Sequence, residues 1–196
     1  MGLLDILTGK RKLAKPAPDR LFAISTAYVT MQTSLQITST GGAAIVFQSL
    51  QTADFSAIVK DMEEVVRATA GDSGTIVETS VDSYGFSWLV LKGSSFDDLV
   101  VGINAVASAI GDGGYGERLL CAVFAFVDAD RRPLYLIYNF KRGSFYPFVP
   151  AGRPGATAEA GGRDNERELV LRAQLGSELP IETELTRWFA LWGIPI

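Results

Sequence analysis

The sequence predicts an α+β fold in which an antiparallel sheet of about five to six strands carries helices mainly on one face. Strand-like segments come in neighbouring pairs joined by short turns, which is typical of antiparallel pairing. Helix-like segments separate these hairpins, and each has an apolar stripe that can pack on a sheet. No internal repeat is apparent along the 196 residues.

Composition suits one globular unit with a sizeable core, since the hydrophobic fraction is 47% and the charged fraction 20%. The net charge of −4 argues against a nucleic-acid partner. The chain has no histidine and a single cysteine, Cys121. A Ser-His-Asp triad and a histidine zinc site are therefore excluded within the chain. One cysteine cannot form an internal disulfide, which fits a cytoplasmic location.

Residues 1–15 are predicted to form an N-terminal arm, and residues 16–196 a single domain. Pro16 and Pro18 mark the boundary, because proline interrupts helices. In a helix the arm would present an apolar face followed by a basic cluster, formed by Leu3, Leu4, Leu7, Lys10, Arg11 and Lys12. This pattern is typical of a short anchor on an anionic membrane surface. The alternative is an arm that docks on its own domain.

The first half of the domain alternates helix and strand. Asp19 is predicted to cap a helix to about Leu35, whose apolar stripe is Leu21, Ile24, Tyr28, Met31 and Leu35. A strand, AAIVFQSL, follows two glycines. A second helix begins at Thr52 or Asp54 and ends at Gly71, and its apolar face is Phe55, Ile58, Val59, Met62, Val65 and Val66.

The next elements are a hairpin and a third helix. TIVETSV and YGFSWLVL are predicted to pair through a turn at Asp82 and Ser83. Phe86 and Trp88 share a face of that hairpin; if this face meets the helices, Trp88→Ala costs about 3–5 kcal/mol. Ser94 or Ser95 caps the third helix. Its core face is Leu99, Ile103, Val106, Ala107 and Ile110.

The last part of the chain carries three further strands and two helices in this prediction. LLCAVFAFV and LYLIYNF pair through DADRRP, and FYPFV continues the sheet. Residues 150–164 are rich in Gly, Ala and Pro and are predicted to be a flexible loop. A helix covers about Asn165 to Leu175, with Glu168 and Arg172 spaced to pair. The aromatic end, with Trp188 and Trp192, forms a last helix that packs on the domain or contacts a partner.

Several patterns could carry chemistry, but each has a better structural explanation. Gly111, Gly113 and Gly116 match a dinucleotide-binding pattern by letter, yet they leave a helix and enter a strand, the reverse of the required order. Asp128 and Asp130 could bind a hard cation, but Asp-x-Asp before Arg-Arg-Pro is ordinary turn chemistry. No cofactor and no metal ligand set are predicted.

The remaining candidates are equally weak. Lys141 and Arg142 lie near aromatic strand residues, which could stack bases, but the acidic net charge favours a plain hairpin turn. The pairs Glu63-Glu64 and Glu182/Glu184 could supply an acid and a base, although solvated helical faces explain them better. Cys121 is predicted to be a buried apolar residue, because no base is available to activate it.

Segments throughout the chain resemble the PspAB family of PspA-associated proteins. The segments that carry the resemblance are MGLLDIL, VKDMEEVVRAT, YGFSWLVL, DDLVVGINAVASAI, GYGERLLCAVFAF, LYLIYNFKRGSFYPFVP and RWFALWGIPI. The resemblance implies an accessory of a phage-shock-type envelope stress response, with a PspA-like protein or an HtpX-like membrane protease as partner. It implies no catalytic residues. The element order is also similar to that of type III secretion chaperones.

Two functions from different classes follow from these observations. The first is a non-catalytic cytoplasmic adaptor, peripheral at the inner face of the membrane, that binds protein partners through the N-terminal arm and the aromatic end. The alternative is a small-molecule-binding protein or an enzyme that uses carboxylates and the Gly111–Gly116 loop. A polar pocket lined by Asp or Glu with shifted pKa would favour the alternative.

Overall fold

The computed structural model describes residues 18–71, 74–151 and 162–196. Among these residues, four α-helices and six strands follow one another along the chain. The helices are α1 (Ala23–Ser34), α2 (Ala53–Gly71), α3 (Phe96–Ile110) and α4 (Asn165–Leu175). The strands are β1 (Thr38–Phe47), β2 (Ile76–Val81), β3 (Ser87–Lys92), β4 (Leu119–Val127), β5 (Pro133–Asn139) and β6 (Ser144–Phe148).

The six strands form one antiparallel sheet in the order β2-β3-β1-β4-β5-β6. This confirms the predicted α+β class and the three predicted hairpin connections. Strand β1 lies in the middle of the sheet, between β3 and β4. The β2–β3 hairpin lies on one side of it, and β4, β5 and β6 lie on the other. The predicted N-terminal arm lies outside the described residues, and so does most of the predicted flexible loop.

All four helices lie on one face of the sheet, where they form the larger core. The third helix matches the prediction closely: Ser95 Oγ accepts the N–H of Asp98 at 3.3 Å, and the five predicted core residues are buried. The first helix differs at its start, because a 3-10 turn, Pro18–Phe22, precedes α1. This core includes Ile24, Met31, Ile45, Phe55, Leu91, Leu99, Ile103, Phe124, Leu136, Tyr138, Phe145, Leu171 and Leu175.

The second face of the sheet is covered by a segment without long helices, residues 182–196, here called the tail. The predicted last helix is wrong, because the only helical turn described in the tail is a 3-10 turn at Leu185–Arg187. Gly193 and Pro195 disfavour a helix, whereas an extended segment can cover a flat apolar sheet. The second core contains Ala44, Val46, Trp88, Val90, Cys121, Val123, Ile137, Tyr146, Phe148 and Trp188.

Trp88 therefore faces the tail and not the helices, so the condition attached to its predicted packing is not met. It is nevertheless buried, and its indole Nε1 donates to Asp82 Oδ2 at 2.9 Å. Asp82 also accepts the backbone N–H groups of Tyr84 and Phe86 in the hairpin turn. These donors hold the pKa of Asp82 below its usual value, although burial alone would raise it.

The two edges of the sheet differ. Outside β6, the backbone N–H of Phe145 donates to Pro180 O and the N–H of Glu182 donates to Phe145 O, both at 2.8 Å. A second short bridge joins Pro150 to Arg163. On the opposite edge, β2 pairs with β3, and no other described residue bonds to its outer side through the backbone. One edge is thus covered and the other is open within the described chain.

Candidate functional site

The tail carries a buried indole, that of Trp188, which lies over the β6 end of the second face. Trp188 is 5% exposed and stacks on Tyr146, with ring centroids 6.3 Å apart and an interplanar angle of 23°. Its indole Nε1 donates to the backbone carbonyl of Glu182 at 3.0 Å. The polar end of the ring is therefore satisfied within the chain, and the apolar body is removed from water.

A carboxylate at the base of the tail joins it to the turn between β5 and β6. Arg142 Nε donates to Glu182 Oε2 at 2.9 Å, and the N–H of Glu184 donates to Oε1 at 3.1 Å. Burial alone would raise the pKa of Glu182, but these donors outweigh it and keep that pKa below its usual value. Glu182 is buried outside any helix, so its interpretation as a solvated helical carboxylate is wrong.

A second ion pair, whose carboxylate is buried, joins the tail to α4. Arg163 Nε lies 2.8 Å from both carboxylate oxygens of Glu168, and Glu168 Oε1 also accepts the N–H of Val149 at 2.8 Å. Arg163 Nη1 donates to the carbonyl of Trp188 at 2.5 Å. Its guanidinium carbon lies 5.7 Å from the ring centroid of Phe148. One arginine therefore connects β6, α4 and the tail.

Glu168 was expected to pair with Arg172, one helical turn away, and this is wrong. The carboxylate is 2% exposed because it turns inward to Arg163, which precedes α4. Burial raises the pKa of Glu168, against the lowering effect of Arg163 and the Val149 N–H. The destabilisation of the charged carboxylate by burial therefore exceeds the stabilisation that its hydrogen-bond partners provide.

Further along, the tail crosses the sheet from its β6 edge to β1. Trp192 meets Phe148 edge-on, with ring centroids 5.0 Å apart. Ile196 lies over Gly42 of β1, where an added Cβ would overlap Ile196 Cγ2. The absence of a side chain at Gly42 therefore makes room for this part of the tail.

The model of one protein family matches residues 1–196, which is the whole chain. Its description is PspA associated protein B. The chain belongs to the PspAB family. No curated protein and no solved structure matches it, so the similarity to type III secretion chaperones stays an expectation.

The two tryptophans predicted to contact a partner in this PspAB protein lie against the sheet. Trp188 is buried and Trp192 is half-buried, so both side chains pack against the domain itself. Their role in partner contact stays a prediction. The predicted arm residues, Leu3, Leu4, Leu7, Lys10, Arg11 and Lys12, lie outside the described part of the chain.

The alternative glycine-loop site of the PspAB chain is placed in solvent. Gly111, Asp112, Gly113 and Gly114 are exposed where α3 ends and a short turn leads into β4. The glycines thus leave a helix and enter a strand, as the sequence order indicated. Gly114 has φ +85°, a conformation that glycine adopts without strain.

The other sequence candidates are structural. Asp128 Oδ1 accepts the N–H of Arg132 at 2.8 Å in the β4–β5 turn, and Asp128 also pairs with Arg167 of α4. Burial alone would raise the pKa of Asp128, but the Arg132 N–H and both guanidinium groups lower it. The described residues contain no group of three metal-ligating side chains. In the same ranges, no helix is long and apolar enough to cross a membrane.

The reactivity of the Cys121 thiol measures whether the tail covers the second face of the sheet. It is 9% exposed, and burial raises the pKa of its thiol to about 12. We expect a thiol reagent such as DTNB to label it far more slowly in the folded protein than in urea, because the thiolate is the reactive form. Cys121 belongs to the core that contains Trp188, so Trp188→Ala should accelerate labelling. Equal rates in both folded proteins would contradict this placement.

Protonation of Glu182 at low pH should weaken the attachment of the tail to the sheet. Its pKa in the folded chain lies below the ordinary value of 4.5, so its ionised form stabilises the fold above that value. This stabilisation is lost as the pH falls through the folded-state pKa. We expect tryptophan emission to shift to the red over that range. Glu168, whose pKa is raised, contributes with the opposite sign.

The control for the acid effect is Glu182→Gln, which removes the titrating group and keeps its shape. Asp82 and Asp128 also have lowered pKa values, so some acid sensitivity should remain. The variant should lose the part of the transition that belongs to the tail. An unchanged pH profile would assign that transition to the other carboxylates.

Proposed function

We propose that this PspAB-family chain is a non-catalytic accessory protein of a PspA-type envelope stress response and acts by direct binding to a PspA-like protein. The observation that carries the proposal is the family match over residues 1–196, whose description names association with PspA. The buried state of Cys121 argues only against its use as a nucleophile, because a thiol with so high a pKa reacts poorly.

The junction of α4 and the tail offers a contact surface for such a partner. A cavity of about 340 Å³ lies there, lined by Arg163, Asn165, Glu168, Leu169, Leu185 and Trp188. Leu169 and Leu185 are 44% and 46% exposed, and neighbouring Phe189 is 59% exposed. Exposed apolar side chains beside a cavity favour contact with an apolar partner surface.

The direct test is a binding titration with the purified PspA-like protein of the same organism. We expect saturable binding by isothermal titration calorimetry, with a negative heat-capacity change because apolar surface is buried. No binding to that protein, with the full-length chain folded, would overturn the proposal. Capture of an HtpX-like membrane protease in its place would replace the partner but keep the adaptor role.

The matched variants for this titration are Leu185→Lys and Val101→Lys. Both replace an exposed apolar residue, and Val101 lies on α3, 53% exposed. We expect Leu185→Lys to weaken binding about tenfold or more, because a lysine in an interface core must lose its hydration. Val101→Lys should leave the affinity unchanged. Equal affinities for both variants would remove the α4–tail surface from the proposal.

Location at the inner face of the membrane is a second part of the proposal. The pattern of apolar and basic residues in residues 1–15 supports it. Full-length protein should sediment with anionic vesicles, and a chain lacking residues 1–15 should not. Salt should weaken sedimentation, because screening acts beyond a Debye length of about 8 Å at physiological ionic strength. Equal sedimentation of both chains would exclude the arm as an anchor.

A further inference from the structure

At three positions on the outer side of β2, the backbone groups bond to no other described residue. The N–H of Asp82 donates to Phe86 O at 3.0 Å. In the register of β2 with β3, this bond shows which residues of β2 direct their backbone groups toward β3. Alternate residues of a strand turn their N–H and C=O groups to opposite sides. Val77, Thr79 and Val81 therefore direct their backbone groups away from the sheet.

This edge has few of the features that usually protect an edge strand, since Glu78 is its single charged residue. The β2 sequence, IVETSV, contains no proline and no lysine, and β-branched residues dominate it. Ile76 and Val81 are 58% and 68% exposed. The opposite edge, by contrast, is covered by the residues that bridge to β6. An open edge of this kind is a template for one more strand.

We infer that the occupant of this edge is β2 of a second copy of the chain, paired antiparallel about a two-fold axis at Thr79. This register pairs residues 77–81 of the two copies and makes about six backbone hydrogen bonds between them. Thr79 meets its own counterpart, and Val77 of each copy meets Val81 of the other. The exposed Val81 side chain thus gains an apolar neighbour.

Charge is compatible with this register as well. Glu78 lies opposite Ser80 of the second copy, so no two like charges face each other directly. Glu78 is already paired with Lys92 of β3, with Nζ 2.7 Å from Oε2. Moving the axis to Glu78 would place the Glu78 side chains of the two copies opposite each other, and moving it to Ser80 would place Glu78 opposite Asp82. The Thr79-centred register is therefore the one that avoids opposed like charges.

The expected dimer is reversible. Stable interfaces bury about 800 Å² on each partner, and a six-residue strand supplies only a part of that. We expect sedimentation velocity of the full-length protein to show a monomer–dimer equilibrium that shifts with concentration. A single monomer species at every attainable concentration would overturn the inference.

Cysteine cross-linking tests the register. In Thr79→Cys, the two introduced thiols meet on the axis, where paired Cα atoms lie about 5.5 Å apart, within disulfide range. In Val81→Cys, they lie about 14 Å apart along the strands. Mild oxidation should therefore cross-link the first variant and not the second, although Val81 is well exposed. Cross-linking of Val81→Cys alone would overturn the register.

A backbone variant tests the pairing itself. Thr79→Pro removes an N–H that points outward, so the bonds between β2 and β3 remain. We expect this variant to stay folded by circular dichroism and to sediment as a monomer, whereas Thr79→Val should still dimerise. A dimer that survives Thr79→Pro would show that another surface joins the copies. If the proline variant does not fold, Ser80→Glu replaces it. The introduced glutamate of each copy would then lie opposite Glu78 of the other copy, so two pairs of like charges would oppose dimerisation. Ser83→Glu is the control.

Discussion

Trp188→Ala should lower the free energy of unfolding by about 3–5 kcal/mol, which is among the largest effects available to one substitution in this chain. The indole is 5% exposed, stacks on Tyr146 and donates to the carbonyl of Glu182. Its removal leaves a cavity between the tail and the second face and also leaves Arg163 with a less fixed acceptor at the Trp188 carbonyl. Urea unfolding followed by circular dichroism measures the effect.

The neighbouring aromatic residue provides the control. Phe189→Ala removes a side chain of similar size that is 59% exposed, so we expect a change within about 0.5 kcal/mol. Equal losses for both variants would mean that the tail is held as a whole and not by the indole. A loss below about 1 kcal/mol for Trp188→Ala would place the tail off the sheet in solution.

Glu168→Gln should cost less, about 1–3 kcal/mol, because the largely buried guanidinium of Arg163 loses its charged acceptor. The cost stays below that of a fully compensated ion pair, since burial already raises the pKa of Glu168. The glutamine can still accept the N–H of Val149, so the backbone bond does not account for the loss. The guanidinium of Arg163 lies beside Phe148 and donates to the Trp188 carbonyl, so most of it is removed from water. Unfolding in urea at neutral pH measures the difference.

Two further variants separate charge from packing. Glu166→Gln removes an exposed carboxylate from the same helix turn and should be nearly neutral. Replacing Glu168 and Arg163 together by methionine should restore most of the stability lost in Glu168→Gln, because no unpaired buried charge remains. If the double variant is less stable than Glu168→Gln, Arg163 stabilises the fold by its bond to the Trp188 carbonyl and not mainly by the ion pair.

Local patterns predicted most of the elements because they depend on neighbours in the chain. The three-four spacing of Leu99, Ile103 and Ile110 fixed one buried face of α3, and Ser95 marked its start. Short turns between β-rich segments indicated antiparallel pairing, and all three hairpins formed. The composition around Cys121 indicated burial, which the structure confirms.

Long-range choices could not be read from the same patterns. Alternation shows that Trp88 and Val90 share a face, but not whether a helix or the tail covers that face. The bond between Arg142 and Glu182 spans 40 positions, and no spacing rule connects them. Arg163 and Glu168 are separated by a helix start, so the helical pairing rule favoured Arg172 in error.

The cover of the second face follows all six strands in the chain, and this has a consequence during synthesis. When β6 has left the ribosome, the helix side of the sheet can already be buried by α1, α2 and α3. The opposite side still exposes Trp88, Val90 and Phe148 until residues 182–196 emerge. Nascent chains stalled before residues 182–196 have left the ribosome should therefore bind chaperones that recognise apolar surface. Chains whose residues 182–196 are outside the ribosome should release those chaperones.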